Sequence, residues 1–192
     1  MNLPNKLTLS RVLLAPIAIL FILFPIGGEL CARLVAGLLF IITALTDMFD
    51  GKIARKYNLI TNFGKFMDPL ADKFMVIGLF VSMCASDMYE RFRPVLIWAT
   101  LLVILRELAV TSLRLLAASS EKNVVIAANW LGKVKTTTQI VCICVLILEP
   151  IVIPFDKIFL LSWLSIAAMT LMTVWSGINY LLAYKDYINP NK

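Results

Sequence analysis

The stretch Asp47–Lys73, DMFDGKIARKYNLITNFGKFMDPLADK, places aspartates at 47, 50, 68 and 72 between two long apolar runs. Asp47 and Asp50 are three apart, near the end of one run. Asp68 and Asp72 are four apart, near the start of the next. Both spacings put side chains on one helical face. A turn between the two helices lets four carboxylates converge near a membrane surface. Carboxylates inside a membrane cost about 2.5–3.5 kcal/mol each on insertion scales and face a cavity or a partner. The offsetting cations are either Lys52, Arg55, Lys65 and Lys73, by ion pairing, or divalent metal ions. For an oxygen-only donor set the hard ions Mg²⁺ or Mn²⁺ fit, and two of them would form a two-metal site for a phosphoryl group.

The flanking sequence sets the class. Of 192 residues, 60% are hydrophobic and 16% charged, against about 45–50% and 25% in soluble domains. Apolar segments near 12–26, 34–54, 66–86, 94–118, 130–149 and 158–184 each approach the roughly 20 residues that span a bilayer as helix. Pro, Gly, Asn and charges punctuate the joints. The reading is an all-α polytopic membrane protein: one domain over 1–192, six transmembrane helices, and a short interfacial helix in the opening NLPNKLTLSR. Lys6 and Arg11 precede the first apolar run as in a signal peptide, but no small-residue cleavage site follows, so the run reads as the first span. With the N-terminus inside, 14 of the 18 Lys and Arg fall at inner ends or loops. That bias predicts both termini and the aspartate stretch on the cytoplasmic side of the cell membrane.

Histidine is absent, which removes the usual general base and the commonest zinc ligand. Cys31, Cys84, Cys142 and Cys144 lie in or beside apolar runs with no zinc-type spacing. The net charge of +6 reads as loop bias and affinity for anionic lipid or phosphate, with no nucleic acid as partner.

Glycines sharpen the aspartate stretch. Gly51 follows Asp50, Gly64 lies four before Asp68, and Arg55 stands one turn beyond Gly51. Glycine permits close approach of a ligand or helix, and a guanidinium suits bidentate phosphate contact. Together they suggest a diphosphate held between metal and arginine. The pattern D-x-x-D-G-x-x-A-R, eight residues, then G-x-x-x-D-x-x-x-D, at Asp47, Asp50, Gly51, Ala54, Arg55, Gly64, Asp68 and Asp72, resembles the signature of the CDP-alcohol phosphatidyltransferases. The resemblance implies a six-span bundle, commonly a homodimer, that moves a substituted phosphoryl group from a CDP-linked lipid to an alcohol and releases CMP. By similarity, Asp47, Asp50 and Asp68 ligate metal, and Asp72 ligates metal and acts as base. Gly51, Arg55, Thr61 and Gly64 match positions around the CDP-diacylglycerol, as do Asn5 and Thr8 in the opening PNKLT. An alcohol needs a base at neutral pH, and an aspartate is the natural choice where histidine is missing.

The second half bears on the acceptor. Arg106, Arg114, Lys133 and Lys135 lie in or beside spans four and five. Arg106 and Glu107 form either a local pair or, with the other cations, an anion pocket for an acceptor that carries phosphate. LRELAVTSLR, VIAAN and GKVKTTTQ resemble the branch that accepts glycerol 3-phosphate. Rival acceptors are an inositol phosphate and, for cardiolipin formation, a lipid. A cation transporter is the rival outside the class, opposed by the clustering of acids at one boundary instead of the midplane.

Overall fold

In the computed structural model, the described residues form six α-helices, α1 (Leu3–Leu23), α2 (Glu29–Lys56), α3 (Asn62–Ala85), α4 (Arg93–Ser119), α5 (Trp130–Val152) and α6 (Leu160–Ala183), with a short 3-10 helix at Asp87–Phe92 before α4. The structure describes residues 2–56, 61–119, 130–153 and 158–184. VIAAN, Lys122 and the C-terminal lysines lie outside them, as do the side chains of Asp50, Gly51, Arg55 and Lys65. Among the described residues there is no strand, as the apolar run lengths predict.

Among the described residues, five helices are both long and apolar enough to cross a membrane. α3 matches them in length, at 24 residues, or roughly 36 Å at 1.5 Å per residue. Its first half, however, carries Asp68, Asp72 and Lys73. The opening segment differs from expectation in one respect: it is no separate interfacial helix. Pro4 sits at the first helical turn, where a missing N–H is harmless, and a single helix runs unbroken from Leu3 to Leu23.

The helices pack in a closed ring, α1–α2–α5–α6–α4–α3 and back to α1, and α3 also touches α5 across it. The ring is filled by Ile22, Phe40, Leu79, Phe80, Met83, Leu96, Ile143, Leu146 and Ile147, all fully buried. Large apolar side chains also cover the outside, among them Leu13, Leu38, Trp98, Leu105, Leu171 and Trp175, as lipid contact requires. One end of the bundle is locked by polar contacts. Arg33 donates to the carbonyls of Leu146 (3.2 Å) and Met88 (2.9 Å). Glu149 accepts from the backbone N–H groups of Leu161 and Ser162 at 2.9 and 2.7 Å, serving donors that the first turn of α6 leaves open. The opposite end holds the start of α1, the end of α2, the start of α3 and the facing ends of α4 and α5. There the ring opens.

Candidate active site

The α3 end of this opening is built on a cap. Thr61 is the N-cap of α3 and its hydroxyl accepts from Gly64 N at 3.0 Å, the standard way to serve an orphan donor in the first turn. The same hydroxyl donates to Asn5 Oδ1 at 2.9 Å, tying α1 to α3. Gly64 makes room for this junction. A Cβ there would lie 3.2 Å from Asn5 Oδ1 and 3.3 Å from Thr61 Oγ1, with Asp68 Oδ2 at 3.7 Å.

α1 contributes a buried polar stripe at three-residue spacing: Asn5, Thr8 and Arg11. Thr8 donates to Asp68 Oδ1 at 2.6 Å. Arg11, only 2% exposed, donates to Asp47 and reaches Asp68 Oδ1 at 3.6 Å. A single guanidinium therefore serves aspartates from both α2 and α3. Sequence reading gave Arg11 only a place at the inner boundary and looked to Lys52, Arg55, Lys65 and Lys73 for countercharge. Of these, Lys73 turns inward and donates to Thr111 on α4, and among the described residues it pairs with no aspartate. The others have no described side chain.

Asp47 and Asp72 line one cleft of about 940 Å³. Its walls come from α2, α3, α4 and α5, and all four proposed acceptor cations line it too: Arg106, Arg114, Lys133 and Lys135. Five cations, with Lys73, face three carboxylates, Asp47, Asp72 and Glu107. The lining thus favours an anionic occupant. Asp68 joins the group through Arg11 instead of lining the cleft itself.

The cations are held by partners that the sequence did not reveal. Glu107 pairs with Arg106 at 3.2 Å and with Lys135, so the local pair and the shared cleft are both present. α6 supports the arginines from behind. Arg106 donates to Ser176 Oγ at 2.7 Å and lies 5.3 Å from the centre of the Tyr180 ring. Arg114 donates to the Tyr180 hydroxyl at 3.3 Å. Ser176 and Tyr180 are buried, and carry no charge or motif that would have marked them.

Among the described residues no three Asp, Glu, Cys or His side chains lie close enough to hold one ion. The donor chemistry nevertheless fits a hard divalent cation. Asp47 and Asp68 already converge on one positive group, the Arg11 guanidinium, and the side chain of Asp50 lies outside the described residues.

The sequence model of the CDP-alcohol phosphatidyltransferase family matches residues 1–175. The chain is 41% identical over 189 residues to the CDP-diacylglycerol–glycerol-3-phosphate 3-phosphatidyltransferase of Bacillus subtilis (strain 168), covering 93% of each. It is 36% identical over 191 residues to the enzyme of that name from Yersinia enterocolitica, covering 99% of each. The one from Escherichia coli (strain K12) is 35% identical over 188 residues, with 95% of this chain and 94% of the relative covered. With the signature aspartates placed at one open end of a helical ring and this likeness running nearly the whole length, the chain belongs to the CDP-alcohol phosphatidyltransferase family.

Proposed function

We propose that the protein, as a single membrane domain, transfers the phosphatidyl group of CDP-diacylglycerol to sn-glycerol 3-phosphate, giving phosphatidylglycerophosphate and CMP. One observation carries the acceptor assignment. The cleft that holds Asp47 and Asp72 is the same cleft that holds Arg106, Arg114, Lys133 and Lys135. An acceptor bearing its own phosphate monoester needs such cations, whereas a neutral alcohol does not, and the names of the relatives favour glycerol 3-phosphate over an inositol phosphate. The relatives described above carry glycerol 3-phosphate in their names.

In this reading Asp72 removes the proton from the 1-hydroxyl of glycerol 3-phosphate. That oxygen forms a bond to the phosphorus bearing the diacylglycerol, the bond from that phosphorus to the oxygen bridging the diphosphate breaks, and CMP departs with the bridging oxygen. Lys135 and Arg106, oriented by Glu107 and Ser176, hold the acceptor phosphate, with Arg114 and Lys133 at the rim. Asn5, Thr8, Gly51, Arg55, Thr61 and Gly64 surround the nucleotide end of the lipid donor. Mg²⁺ or Mn²⁺ held by Asp47, Asp50, Asp68 and Asp72 would neutralise charge that develops on the diphosphate. The open end of the bundle faces the cytoplasm of the cell membrane in this proposal, in line with the lysine and arginine bias. There the soluble substrate reaches the cleft while acyl chains stay in lipid.

The test uses purified protein in detergent with CDP-diacylglycerol and labelled glycerol 3-phosphate. Label in the lipid phase and CMP in equal amount are expected, both lost with EDTA and restored by Mg²⁺ or Mn²⁺. CMP released with an inositol phosphate but not with glycerol 3-phosphate overturns the acceptor. No CMP with any acceptor overturns the reaction. Turnover that survives thorough metal removal overturns the metal requirement. The family resemblance extends to a homodimer, so light scattering should give two chains per detergent particle. One chain per particle would remove that part of the proposal.

A further inference from the structure

Gln139 stands on α5 four residues beyond Lys135, on the same helical face and one turn further toward the centre of the bundle. It is 2% exposed and lines the reaction cleft. Its amide nitrogen is buried and has no hydrogen-bond partner among the described residues. That is an uncommon state. Buried side-chain donors are nearly always paired, and an unpaired one costs stability that an apolar side chain of similar size would not. The surrounding lining makes the exception sharper. Phe40, Val76, Val103, Ile140 and Cys144 form the apolar part of the same cleft, and none offers a strong acceptor. Gln139 is thus a buried, unpaired amide in the wall of the cleft, one turn inward of the ion-paired Lys135.

Resting on the glycerol 3-phosphate reading above, we propose that Gln139 is a specificity residue: its carboxamide binds the secondary hydroxyl of the acceptor, the one that takes no part in the transfer. The charges of the cleft divide the work. A phosphate dianion is served by Arg106 and Lys135, which a neutral amide does not replace. The reacting hydroxyl must lose its proton to Asp72, and an amide takes up no proton at neutral pH. What remains on a three-carbon acceptor is one hydroxyl that keeps its proton, and a carboxamide can both donate to it and accept from it. A site built to pair with a hydroxyl discriminates strongly against an analogue that lacks it, because its own polar group is then left buried and unpaired.

The experiment compares wild type with Gln139→Met, full chain in detergent with Mg²⁺ and saturating CDP-diacylglycerol. The two acceptors are glycerol 3-phosphate and propane-1,3-diol monophosphate, which lacks the secondary hydroxyl. Gln139→Met is expected to raise KM for glycerol 3-phosphate about 10- to 100-fold, with kcat and the KM for CDP-diacylglycerol little changed. With the diol phosphate the two proteins should behave alike. The variant's unfolding midpoint in the absence of substrate should equal or exceed that of wild type, since an unpaired amide has been removed. Equal loss on both acceptors, or no loss on either, overturns the assignment. So does a lowered midpoint, which would mean that the amide serves the fold. Wild-type protein that makes no lipid product from glycerol 3-phosphate overturns the underlying reaction as well, whereas wild-type activity with an indifferent variant overturns this inference alone.

Discussion

Asp72→Asn is expected to lower kcat by about 10²- to 10⁴-fold, the range that a positioned general base supplies. The substitution keeps size and shape. The loss should therefore appear in kcat with the unfolding midpoint within about 0.5 kcal/mol of wild type, as for changes that break no packing or network. Asp72 is suited to the role by position. It lines the cleft together with Asp47 and the acceptor cations, whereas Asp47 and Asp68 are both engaged by Arg11. A measurement of kcat, of KM for each substrate and of their dependence on Mg²⁺ checks it. Recovery of wild-type turnover at high Mg²⁺ would assign Asp72 to ligation alone, and unchanged turnover at any Mg²⁺ would remove it from the chemistry.

Glu107→Ala is expected to cost about 3–5 kcal/mol of stability, because removing one member of a buried ionic group leaves the others uncompensated. Glu107 is the shared partner of Arg106 and Lys135, and the three side chains are exposed by only 12%, 10% and 5%. A second substitution distinguishes this from simple loss of packing. Adding Lys135→Met to Glu107→Ala removes one of the two orphaned charges. It should recover a large part of the lost stability, since apolar replacement of buried ions is often neutral or better. The double variant should nonetheless fail with glycerol 3-phosphate, because the acceptor has lost a cation. Unfolding in detergent followed by tryptophan fluorescence, together with the acceptor assay, checks both halves. A double variant no more stable than the single one would show that Glu107 acts mainly through packing.

Much of the bundle was legible because lipid imposes a simple demand: about 20 apolar residues per span, with Gly, Pro and charge between. The joints PIGGEL and SDMYERFRP fall where helices end. The entry to α1 was missed by several residues, since Asn5, Thr8 and Arg11 look polar in sequence while the fold buries them against α3. The aspartates were legible as a face because their spacing is local. Arg11 was not, because its partners lie 36 and 57 residues away, at Asp47 and Asp68, and nothing local distinguishes a buried arginine from one at the membrane boundary. Ser176 and Tyr180 were illegible for a related reason. They sit in an apolar segment, and their role exists only once α6 packs behind α4. The order of helices around the ring likewise depends on side-chain fit between segments far apart in sequence, which run lengths do not report.

That order has a consequence for how the chain is made. Its first three helices are mutual neighbours through α1, and they carry both aspartates that Arg11 engages. The cations of α4 and α5, and the α6 residues that hold them, are synthesised afterwards. A nascent chain with only α2 and α3 would present acids to the bilayer edge with their later neighbours still inside the ribosome. Arg11, placed in α1 ahead of both in the chain, is already there to meet them. The amino-terminal half can therefore settle in the membrane with its acids compensated, and the carboxy-terminal half then completes the cleft around a partner that has already formed.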